Sequence, residues 1–223
     1  MDINISENTV PDENARLMRL ATYASVSVAV FLILLKLVAW SQSDSVSLLA
    51  TLIDSILDAF ASIINLFAVK HSLTPADKEH RFGHGKAEAL AGLSQSLFIA
   101  GSAIFLLIEV CNSIINPVEI KFPITSMIVV AITILVTLML VTFQQYVIRK
   151  TQSVAISADA LHYKSDILIN TAVIVALWLS TMGLSIFDPI IGGLIACYII
   201  YSAWSILTVS MDQLMDRELP DDV

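Results

Sequence analysis

Two short stretches place metal-ligand side chains one helical turn apart in otherwise apolar surroundings. Residues 51 to 65, TLIDSILDAFASIIN, set Asp54 and Asp58 four apart, and residues 157 to 170, SADALHYKSDILIN, do the same with His162 and Asp166. Side chains four apart share one face of a helix, so each stretch, read as a helix, carries a pair of ligand types on one stripe. Asn65 returns to the azimuth of Asp54, while Asp159 and Asn170 extend the stripe of His162 and Asp166. An ionised carboxylate at the centre of a bilayer costs roughly 2.5–3.5 kcal/mol, and three cost on the order of 8–10 kcal/mol. Hydrogen bonds between helices would account for one protonated Asp. Three Asp and a His at matched spacing point instead to a bound divalent cation.

One imidazole nitrogen and three carboxylate oxygens make a tetrahedral set of the kind zinc takes, at about 2.0–2.2 Å. Magnesium and calcium ask for more oxygens and no nitrogen, and copper(I) asks for sulfur. Zn2+ therefore leads, followed by Cd2+, Fe2+ and Co2+, and a metal at the midplane of a helix bundle suits transport better than structural support. A second cluster lies in PADKEHRFGHGKAE, where Asp77, His80 and His84 follow a D-x2-H-x3-H pattern. Loop histidines are commonly just solvated; beside the intramembrane set, this triad is expected to be a second metal site.

The elements that must position these residues follow from composition. The 223 residues are 57% hydrophobic and 14% charged, with a mean hydropathy of +0.80, which is far from a soluble domain. Apolar stretches long enough to cross about 30 Å of hydrocarbon occur near 18–40, 46–70, 87–115, 123–148, 153–180 and 186–210. The expected fold is an all-α membrane protein of six transmembrane helices. Arg16, Arg19, Lys70, Lys78, Arg81, Lys86, Arg149, Lys150 and Arg217 flank the two ends, the 2/3 loop and the 4/5 loop. The opposite loops carry only Lys121, and Lys36 and Lys164 fall inside spans. The positive-inside rule then places both termini in the cytoplasm.

The expected organisation is a cytoplasmic N-terminal segment (1–16), a six-helix transport domain (17–212) and the start of a cytoplasmic C-terminal segment (213–223). The acidic opening MDINISENTVPDENARLMRL lacks a basic region and cleavage site, so helix 1 is expected to remain as an anchor. Net charge is −8, and no basic cluster is dense enough to suggest a nucleic-acid partner. Cys111 and Cys197 lack CxxC spacing and are expected to be ordinary buried thiols without a redox role.

SVSLLATLIDSILDAF from Ser45 and SVAISADALHYKSDIL from Ser153 align at a fixed offset, matching Asp54 with His162 and Asp58 with Asp166. Two three-helix halves of opposite topology are the plan of many secondary transporters. Small residues recur every fourth position in helix 3 (Gly92, Ser96, Ala100) and helix 6 (Gly192, Ala196 and Gly193, Cys197). Such stripes allow close backbone approach, so helices 3 and 6 are expected to pack as a pair, leaving 1, 2, 4 and 5 as a compact bundle.

HRFGHGKAE after helix 2, with D-x3-D in helix 2 and H-x3-D in helix 5, resembles the cation diffusion facilitator family, and ASIIN, PADKEHRFGHGKAEALA and ADALHYKSD strengthen the likeness to its bacterial zinc/proton antiporters. The resemblance covers nearly the whole chain. It implies a transport site from Asp54, Asp58, His162 and Asp166, a second zinc site from Asp77, His80 and His84, and a multi-pass protein of the bacterial inner membrane. It also implies that Lys86 pairs with Asp216 to lock a homodimer; by itself Lys86 reads as a solvated lysine at a helix start. Members of this kind continue into a cytosolic ferredoxin-like domain, which is expected to be absent here. The expected activity is efflux of Zn2+, with Cd2+ or Fe2+ as further candidates, in exchange for protons by alternating access. An intramembrane metalloenzyme would need an open coordination position and a general base, and no HExxH is visible; a metal sensor without transport is the other rival. Asp159 could draw cations toward the site or be a polar residue near the helix entrance. Lys164 points away from His162 and is expected to take no part.

Overall fold

The computed structural model describes residues 12–43, 46–81, 83–115, 124–181 and 187–215. Six α-helices fill these segments: α1 (Asp12–Ser43), α2 (Val46–Ser72), α3 (Lys86–Ile115), α4 (Ile124–Thr151), α5 (Val154–Thr181) and α6 (Phe187–Leu214). Each has 27 to 32 residues, enough at 1.5 Å per residue for about 40–48 Å, more than the hydrocarbon thickness. A helix is the solution apolar sequence must take in lipid, because only it satisfies every backbone group within the segment. Among the described residues, five of the six helices, all but α5, hold a stretch long and apolar enough to cross a membrane by composition alone. In α5 the charged residues Asp159, Lys164 and Asp166 interrupt the apolar pattern, but α3, α4 and α6 pack around it.

Large apolar side chains such as Phe105, Tyr201, Trp204 and Leu194 lie more than 60% exposed. In a soluble protein such a surface would be a binding patch or a liability; around a bundle of membrane-spanning helices it meets lipid.

α3 and α6 form the most extensive pairing. Ile99, Ala103, Ile199 and Ala203 make a buried cluster between them, joined by Leu161 of α5. A Cβ on Gly92 would come within 2.8 Å of Ser210 Oγ on α6 and Val154 Cγ1 on α5, and one on Gly192 within 2.9 Å of Val110 Cγ2 on α3. Only hydrogen side chains let these backbones approach so closely. Of the two expected stripes on α6, the Gly192/Ala196 stripe is the one at the interface; Cys197 is exposed. Cys111 is exposed as well, contrary to the expectation of buried thiols, because the small-residue stripes occupy the interface and leave both cysteines on other faces.

α1 packs against α2 and α4, and α4 against α5, as the two-cluster expectation requires. α5 departs from it by also packing on α3 and α6, and α2 by packing on α3, so the two clusters meet through both helices. Its first half is short-chained where neighbours press on it, with Ala155 and Ala158 fully buried. The α4/α5 connection fixes this placement. Gln152 takes φ +53° and donates to Ile148 O at 2.8 Å, a left-handed helix stop usually given to Gly or Asn. Ser153 Oγ then accepts from Ile156 N at 3.2 Å, an N-cap that starts α5 against α4 after two residues.

Packing is uneven along the bundle. Where α2 and α4 end and α3 and α5 begin, Met18, Ala21, Val69, Ala91, Val147, Ala155 and Ile156 form one buried cluster. α5 stays buried almost continuously from Ser153 to Ser165, apart from Ser157 and Lys164, and is only half-buried from Asp166 to Asn170. The bundle is tight at one end and loosens beyond Asp166.

Candidate metal centre

The transition from tight to loose packing coincides with the ligand cluster. His162 Nε2 lies 2.9 Å from Asp58 Oδ1 and 3.9 Å from Asp166 Oδ2. Three donors, one each from Asp58, His162 and Asp166, sit within 4.8 Å of one another. Tetrahedral ligands at about 2.0–2.2 Å stand about 3.4 Å apart, a spacing that the two observed separations bracket. His162 is 9% exposed, against 16% for Asp58 and 27% for Asp166, so the group is screened on one side and reachable on the other. Asp58 comes from α2 and the other two from α5. Asp54 stands one turn from Asp58, exposed, and is not one of the three mutually close donors. Asn65 donates instead to Ala155 O at 3.4 Å, and Asn170 to Asp166 O at 2.8 Å.

Two features around the cluster were not legible in the sequence. Lys36 of α1 donates to Ser55 Oγ at 2.6 Å and to Thr51 O at 3.1 Å, which places an ammonium on α2 within electrostatic reach of Asp58, Asp54 and Asp166. A fixed cation beside a set of carboxylates offsets part of their mutual repulsion. Asp159, on the other side, does not open to any vestibule here: it is 1% exposed. Ser25 donates to its Oδ2, as does Gln144 Nε2 at 2.7 Å, and Gln95 Nε2 donates to Oδ1 at 3.3 Å. One carboxyl group thereby joins α1, α3, α4 and α5. One turn on, Tyr163 Oη shares a hydrogen bond with Ser62 Oγ at 2.9 Å and donates to Ser25 O at 3.3 Å, which adds α2. Lys164, as expected, faces elsewhere, donating to the Tyr198 hydroxyl with its ammonium 5.0 Å from that ring.

The loop triad also converges. Asp77, His80 and His84 form a second group of donors within 4.8 Å. Asp77 Oδ1 accepts from His80 N at 2.6 Å and Glu79 N at 2.9 Å. The His80 amide first, with the Glu79 amide adding to it, holds its carboxyl below the ordinary carboxylate value. His80 Nδ1 lies 3.3 Å from Oδ1 and His84 Nε2 3.5 Å from Oδ2. His84 Nδ1 faces Thr74 O at 3.3 Å, the backbone contact that fixes a tautomer and frees Nε2 for a metal. Gly83, at φ +81°, turns the chain between the two histidines. Lys86 donates to Leu214 O at 3.2 Å, at the end of α6; Asp216, its expected partner, lies outside the described residues.

Comparison with known proteins agrees with this architecture. The family model of the cation efflux transmembrane domain matches residues 22–215. Cation-efflux pumps named FieF are similar over 93% of this chain: that of Cronobacter sakazakii is 47% identical over 207 residues, and those of Serratia proteamaculans and Pectobacterium carotovorum are 46% and 47% identical over 208. The chain spans 69% of the length of each. A six-helix membrane bundle that gathers Asp58, His162 and Asp166 between α2 and α5, matched along most of its length by that model, belongs to the cation efflux, or cation diffusion facilitator, family of transporters.

Proposed function

We propose that the chain exports Zn2+, with Cd2+ and Fe2+ as further substrates, from the cytoplasm across a bacterial inner membrane in exchange for protons. The observation that carries this reading is His162 Nε2 facing Asp58 and Asp166 at 2.9 and 3.9 Å from two different helices. One nitrogen among oxygens favours zinc over magnesium or calcium. Asp54, a turn away, supplies the fourth ligand once metal draws it in. Because the donors lie on α2 and α5, a shift between these helices opens the site to one side or the other and changes its coordination.

Moving a 2+ charge outward against an inside-negative potential costs about 4.6 kcal/mol per 100 mV, and one inward proton returns about half. The ligands themselves supply the coupling, since carboxylates and imidazole must lose protons to bind metal. With the termini inside, the tight end of the bundle is cytoplasmic and the loose end external, so the conformation described is open outward. The Asp159 hydrogen bonds belong to the closed end and must rearrange for metal to load from the cytoplasm. Asp77, His80 and His84 hold a second zinc ion at the cytoplasmic surface, and Lys86 with Asp216 ties the protomers of a homodimer.

Metal uptake into proteoliposomes, measured for zinc, cadmium, iron(II) and manganese at several imposed pH gradients, tests the proposal. Zinc flux is expected to rise with an opposing proton gradient and to vanish in Asp58→Ala. Flux indifferent to the gradient would remove the antiport reading, and full activity in Asp58→Ala would remove the site.

A further inference from the structure

The fourth histidine of the chain, His71, lies against the loop cluster. It stands in the last turn of α2, six residues before Asp77. Its ring meets that of His84 edge-on, with centroids 4.4 Å apart and planes at 66°. On another side of His84 is His80, with centroids 4.5 Å apart. Three imidazoles and the Asp77 carboxylate are therefore gathered where α2 ends and α3 begins.

We infer that His71 is the fourth protein ligand of the loop site, which makes it a closed tetrahedral centre of three histidines and one aspartate for zinc or another borderline divalent cation. The inference rests on the reading of Asp77, His80 and His84 as a metal site. Those three donors already lie within 4.8 Å of one another, and three protein ligands leave one tetrahedral position for water. His71 is exposed, so its ring can pivot about the side-chain torsions without moving the helix. Its neighbour His84 is 7% exposed, with Nδ1 committed to Thr74 O and Nε2 turned to Asp77. A ring 4.4 Å from the best-oriented ligand is near enough for such a pivot to reach a shared ion.

The consequence concerns the connection. With three ligands, the metal ties the loop to the start of α3; with His71 it also ties the end of α2. α2 carries Asp54 and Asp58, so occupancy of the loop site then constrains the helix that shapes the transport site.

The full chain carrying Asp58→Ala, so that the transport site is disabled, is titrated with Co2+ and followed by its visible d–d absorption, with Zn2+ as competitor. Intense tetrahedral bands are expected, lost with His80→Ala or His84→Ala. His71→Ala is expected to weaken affinity about tenfold or more and to replace those bands with the weak absorption of a water-filled, higher-coordinate site. His71→Cys is expected to keep a tetrahedral spectrum and add a thiolate-to-metal charge-transfer band, which no purely structural role would produce. Unchanged spectrum and affinity in His71→Ala, or no charge-transfer band in His71→Cys, would overturn the role of His71 while leaving the three-ligand site. Binding untouched by His80→Ala and His84→Ala would overturn the loop site itself.

Discussion

Lys36 sets a charge where the transport reading needs a balance. Its ammonium is held on Thr51 and Ser55, and Ser55 is the residue after Asp54. Because it is anchored to α2 rather than bonded to a ligand, it can remain as the metal enters and leaves, opposing a 2+ ion and favouring its release. Lys36→Met should therefore bind zinc more tightly, by about tenfold, a change of about 1.4 kcal/mol, and turn over more slowly. Equilibrium zinc binding and flux, measured on the same preparation, check this split; Lys36→Arg should lie near the parent protein. Along the chain Lys36 is only a lysine within a span, because its partners lie on another helix.

Helix pairing turns on a few contacts that make opposite predictions for similar substitutions. At Gly92 an added methyl meets Ser210 Oγ and Val154 Cγ1 at 2.8 Å, and both residues are buried, so neither can yield freely. Gly92→Ala should destabilise by about 1–3 kcal/mol through overpacking. At Gly193 the nearest atom is 3.8 Å away, so Gly193→Ala should be neutral or stabilise by up to about 1 kcal/mol through helix propensity. Thermal unfolding in detergent distinguishes them by sign. The Asp159 junction makes a second prediction at this scale. Gln144→Ala removes a 2.7 Å donor from a buried carboxyl, which should cost about 1.5–3 kcal/mol. If the junction closes the cytoplasmic end, the same variant should raise the accessibility of a reporter cysteine at position 155 to a cytoplasmic thiol reagent.

For the whole molecule, the two halves correspond in their pattern of helix contacts. α1 with α2 corresponds to α4 with α5, and α2 with α3 to α5 with α6, while α1 with α4 and α3 with α6 pair across the halves. The symmetry is broken where α5 packs on α3, which brings Gln95 to Asp159 and Phe98 to within 6.2 Å of the His162 ring. Lys86 already reaches the end of α6, next to the residues that would carry a dimer lock. Lys86→Ala should shift the protein toward monomer in detergent without changing its helix content, as seen by light scattering alongside circular dichroism. A dimer of unchanged stability would remove that role.

By itself the sequence determined the number and placement of the helices, the α3/α6 pairing and the residue types of both candidate ligand clusters. These are legible because they rest on properties read along one chain: apolar length, small-residue stripes and the four-residue spacing that puts ligands on one face. Tertiary structure decided which of those faces meet. It brought Asp58 to His162 and Asp166 and left Asp54 outside the close group, buried Asp159 under donors from three other helices, and set Lys36 and His71 beside clusters that their positions in the chain did not suggest. Periodicity fixes a residue's angle on its own helix, whereas a contact between helices also depends on the rotation, tilt and depth of the second helix. Those are set by the summed packing of the bundle.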